Sequence, residues 1–156
     1  MPYQDYWEQF QERITTSQNF EFLHENPPNG NHCRVDFIGT NGDVILHPLF
    51  NPTQDFPNLR QDDRFHIGVN MEDTSDNQVH QTIFDNIRRI IQDEDATNLN
   101  EFEWCAIPGN TERHKIYIGK PIHLDPRDIP MDQDVQKFID WHLEKIKFLK
   151  NLFLEE

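Results

Sequence analysis

The 156-residue chain carries 28 aspartates and glutamates against 14 lysines and arginines, a formal net charge of -14. A surface this acidic repels nucleic acid and anionic membranes and attracts basic protein surfaces, which argues against direct contact with either polyanion. Leu, Ile, Val and Phe nevertheless number 42, enough apolar mass to set the chain apart from disordered ones, and the length suits a single domain over residues 1–156.

Tyr3, Trp7, Phe10 and Ile14 recur at helical spacing with Tyr6 beside them, and Glu8, Gln11, Glu12 and Arg13 take the wet side. This predicts an amphipathic helix over 3–16, with Pro2 suited to its entry. The run Asn26-Pro27-Pro28-Asn29-Gly30-Asn31 then rules out regular structure. Cys33, Val35 and Phe37 alternate with Arg34, Asp36 and Ile38, and Val44 and Leu46 resume the alternation after Thr40-Asn41-Gly42-Asp43. Asn-Gly between alternating runs predicts a hairpin, because both central turn positions need positive φ.

Three prolines in residues 48–63 predict a long loop, and Phe65, Ile67 and Val69 alternate as a third strand. Val79, Ile83, Ile87, Ile90 and Ile91 place a helix over 76–92, with Ser75 or Asp76 as its N-cap. A second hairpin is expected from Phe102, Trp104 and Ala106, through Pro108-Gly109-Asn110, to His114, Ile116 and Ile118. Residues 120–131 hold three more prolines and read as a connector. The last helix starts near Asp132, with Val135, Phe138, Ile139, Ile146, Leu149 and Phe153 on one face, widened by Trp141, Phe148 and Leu152.

Strands gathered in hairpins rather than alternating singly with helices predict an α+β fold. The expectation is a largely antiparallel sheet of about five strands, two hairpins plus one strand, with three helices in the order α-β-β-β-α-β-β-α. The helices would cover one face.

Reactive chemistry has little foothold. The eight histidines form none of the close pairs that put two zinc ligands on one side. His142 interrupts the apolar face of the last helix and reads as a hydrogen-bonded, partly buried side chain. A metal-dependent hydrolase would draw on Asp36 with Glu101 or Glu103, but that strand lacks a lysine; Lys115 lies on its hairpin neighbour. No nucleophile elbow or phosphate-cradling glycine loop occurs. Cys33 and Cys105 lie in strand-like segments and read as small buried hydrophobes of a reducing compartment. The start reads as an ordinary helix rather than a leader, and no apolar run approaches the ~18 residues of a membrane span. A cytoplasmic protein without enzymatic activity, cofactor or metal is expected.

What remains is the distribution of charge. The acidic excess gathers in the N-terminal helix, the 55–63 loop, the 72–76 turn and the Asp93-Glu94-Asp95 cluster. The expected partner-binding residues are Asp55, Phe56, Asp62, Asp63, Glu72, Asp73, Asp76, Asp93, Glu94 and Asp95. Phe50 and Phe56, in the proline-bearing loop, are the candidate aromatic anchors. The expected partner is a basic protein surface, such as a nucleic-acid-acting enzyme or toxin. The protein would then be a small immunity or anti-defence inhibitor that occludes a basic cleft, acids competing with phosphates for the same Lys/Arg field. The alternatives are an accessory domain of a restriction or defence assembly, and a metal-dependent nuclease using Asp36 and Glu103.

Three features carry a resemblance: Tyr6-Trp7-x-x-Phe10, the Phe102-Glu103-Trp104 strand leading through Pro108-Gly109 to Lys115-Ile116-Tyr117-Ile118, and the Asp140-Trp141 terminal helix ending in Phe153. In their order over nearly the whole length the chain resembles an uncharacterised bacterial domain family found at the C-terminus of restriction-endonuclease-like proteins. The resemblance implies a domain that accompanies nuclease modules and has no accepted catalytic residues.

Overall fold

A short strand β1 (Phe20–Phe22) comes first, and alternation of apolar side chains along successive segments then produces strands β2 (Val35–Phe37), β3 (Val44–Phe50), β4 (Phe65–Asp73) and β5 (His114–Ile122). In the computed structural model, which describes residues 3–16, 20–22, 30–37, 43–50, 65–75, 77–93, 114–122 and 135–155, they form one antiparallel sheet ordered β1-β2-β3-β4-β5. Helices α1 (Tyr3–Thr15), α2 (Gln78–Asp93) and α3 (Val135–Glu155) complete the described elements. The architecture is α+β, in the order α-β-β-β-β-α-β-α.

The pleat gives the sheet two unlike faces. One carries the in-register row Val35–Leu46–Met71–Ile116, then Val69 with Ile118 and Phe50 with Ile67. These residues form a single core with Tyr6, Trp7, Phe10 and Ile14 of α1, Phe84 and Ile87 of α2, and Val135, Phe138, Ile139, Ile146, Leu149 and Phe153 of α3. All three helices therefore lie on this face, as the residue pattern implies. The opposite face carries Asp36, Ile45, His47, Leu49, Asn70 and Glu72. Ile45 and Leu49 are buried there yet stand outside the helix-side core.

Strand bounds differ from the sequence pattern for identifiable reasons. β1 falls between the first helix and the 26–31 run, where the pattern marks no strand; three residues are too few for periodicity, and pairing with β2 holds them. β3 runs through Pro48, β4 to Asp73 and β5 through Pro121, each past the expected stop. Pro48 survives inside the sheet because the chain beside it adapts. Cys33 N donates to Pro48 O at 3.1 Å, but proline has no N–H to return, and regular β2 pairing begins only at Val35. One step on, Phe50 N donates to Asn31 O at 2.8 Å and Asn31 Nδ2 to Phe50 O at 2.7 Å, so a side-chain amide completes the rung. The Asn41-Gly42 turn and the expected strand 102–106 lie outside the described residues.

In α2 the stripe is turned from the expected one: Val79 is 66% exposed, whereas Phe84 is fully buried. The N-cap is Asn77, beyond both expected candidates, Ser75 and Asp76. Its Oδ1 accepts from Val79 N (2.9 Å) and His80 N (3.3 Å), satisfying two of the first-turn donors.

His142 fills the gap in the buried stripe of α3 and is wholly enclosed rather than partly buried. Its Nε2–H faces two acceptors, Leu49 O and Gly68 O, each at 3.1 Å. Nδ1 is therefore the acceptor, and Tyr6 Oη–H donates to it at 2.7 Å. One imidazole thus ties α1, α3, β3 and β4. Burial holds it neutral, with its pKa lowered from 6.5 to about 3.

Candidate functional site

The expected docking residues separate in space. Glu72 is 5% exposed on the sheet face away from the helices, in the row Asp36–Ile45–Glu72–Lys115. Asp73, its neighbour in β4, points to the helix side and is 0% exposed. The expected turn at 72–76 is strand as far as Asp73, and strand alternation sends the two carboxylates to opposite faces. Burial withdraws both from any docking surface. Phe50 is likewise no anchor, since it sits fully buried among Tyr6, Trp7, Phe138 and His142 with ring centroids 5.0–6.0 Å away. Asp55, Phe56, Asp62, Asp63, Asp76, Glu94 and Asp95 lie outside the described residues, and of Asp93 only the helical backbone is described.

The acids the structure does present to solvent are on α1. Asp5, Glu8 and Glu12 are all exposed and recur at i, i+3 and i+7, a spacing that aligns them along one side of the helix. With Gln11 and Thr15, the two glutamates border a shallow surface depression. Arg13 on the same helix is engaged by Asp140 and by Gln136 Oε1 (3.2 Å) of α3. Among the described residues no cation pairs with Asp5, Glu8 or Glu12. The solvent side of α3 differs, since Lys137 and Lys147 alternate there with Asp140 and Glu144. The signal for the α1 stripe was present in the helical periodicity as the wet side of the first helix.

Asp73 belongs to a second cluster, where β4 leads into α2. Its Oδ1 accepts from Ser75 N at 3.0 Å and from Ser75 Oγ at 2.7 Å. His80 Nδ1 lies 3.6 Å from Asp73 Oδ1 and 3.5 Å from Ser75 Oγ. Ser75 Oγ in turn accepts from Asn77 N at 3.2 Å. This is no nucleophilic triad: the hydroxyl points its proton at the carboxylate, and serine and aspartate crowd the same imidazole nitrogen instead of opposite ones. Asp73 Oδ2 is buried and finds no hydrogen-bond donor among the described residues.

The remaining reactive residues are quiet. Cys33 is fully buried, and burial pushes its thiol up to about 12, so no thiolate forms near neutrality. Asp36 stands 3.8 Å from Arg34, and Glu103, its expected hydrolase partner, lies outside the described residues. Among the described side chains no three His, Cys, Asp or Glu groups converge as metal ligands. No helix among the described residues is long and apolar enough to cross a membrane. Comparisons with protein-family models, curated proteins and solved structures return no match to this chain.

Proposed function

We propose that this protein acts without catalysis, as a small acidic inhibitor that binds a basic surface on a nucleic-acid-processing protein and occludes it. The observation that carries the reading is the exposed Asp5–Glu8–Glu12 stripe on α1, unneutralised by any described cation in a chain of net charge -14. Such a stripe competes with phosphates for the lysines and arginines of a nucleic-acid cleft, because both present anions to the same field. Encounter is steered over long range, and desolvated packing then holds the complex. Asp62, Asp63, Asp93 and Asp95 extend the acidic surface in this reading. Glu72 and Asp73 have no part in it.

The test begins with affinity capture of a partner from cell extract and its identification by mass spectrometry. Association rates of the purified pair are then measured across ionic strength. The rate is expected to fall by roughly tenfold or more between low and high salt. It should fall similarly at low salt when Asp5, Glu8 and Glu12 are replaced by lysine, with Asp62→Lys and Asp63→Lys adding to the loss. A partner that acts on nucleic acid should lose activity in the complex. Salt-independent association untouched by these reversals, or a partner whose activity persists in the complex, sinks the proposal.

A further inference from the structure

We draw no further inference here: the strongest candidate, the side-chain cluster of Asp73, Ser75 and His80 where β4 enters α2, brings together only two groups able to ligate a metal among the described residues, and nothing in the structure shows what would complete a site there.

Discussion

Protonating His142 would force it to give up an existing bond, because Nδ1 already accepts from Tyr6 and Nε2–H already donates to Leu49 and Gly68. A second ring proton would face the Tyr6 hydroxyl in a site closed to water. Unfolded, the same imidazole titrates near 6.5; folded, near 3. Between those values the native state binds fewer protons than the unfolded state, so stability falls as pH falls. The contribution is complete above about pH 6.5 and is lost progressively toward about pH 3. The slope from this one group is about 1.4 kcal/mol per pH unit. Chemical denaturation at several pH values should show it. A His142→Gln variant should be less stable at pH 7 yet lack that component of the slope. Equal slopes in the two proteins would mean that His142 does not control the acid sensitivity.

At the scale of elements, caps and prolines decide boundaries that hydrophobic period alone leaves loose. Asn77 Oδ1 holds two first-turn N–H groups of α2, a helix rich in isoleucine, which has only moderate helix propensity. Asn77→Ala should therefore cost about 1 kcal/mol, and Asn77→Asp should retain most of the stability, as read by urea unfolding. A negligible cost for the alanine would show that the Ser75–Asp73 turn alone starts the helix. The three helices were legible in the chain because long stretches repeat an apolar stripe, and α3 follows it nearly residue for residue. The antiparallel sheet and its helix-covered face were legible too, from the alternation in β2 through β5. Boundaries at Pro48 and Pro121 were not, since proline signals a break in the pattern, whereas pairing with β4 carries β3 and β5 through both positions. Site prediction suffered from the same source. Glu72 and Asp73 looked like a polar turn, whereas tertiary pairing with β3 and β5 extends β4 through both and buries them on opposite faces. Conversely, Glu8 and Glu12 read as part of the wet side of the first helix, one of the segments where the acidic excess gathers. Only the engagement of Arg13 by α3 shows that the stripe keeps its charge.

For the molecule as a whole, the surplus of fourteen negative charges opposes folding by self-repulsion. A compact chain of this length has a radius of gyration of about 15 Å, while the screening length is about 30 Å at 0.01 M salt and about 8 Å at 0.15 M. At low salt every carboxylate therefore senses the others; at physiological salt only neighbours do. Screening also weakens exposed ion pairs such as Arg13–Asp140, but each of these is worth less than about 1 kcal/mol. Net repulsion wins that comparison. Raising sodium chloride from 0.01 to 0.15 M at neutral pH should lift the thermal midpoint by a few degrees, since about 1 kcal/mol corresponds to 2–4 °C at this size. The gain should shrink as pH approaches the isoelectric point, where carboxylates and histidines together approach neutrality. There the His142 penalty remains, so the protein becomes less salt-sensitive while still losing stability to acid. A midpoint that falls with salt, or a salt response of equal size at both pH values, would show that local ion pairs rather than global repulsion set the electrostatic balance of this fold.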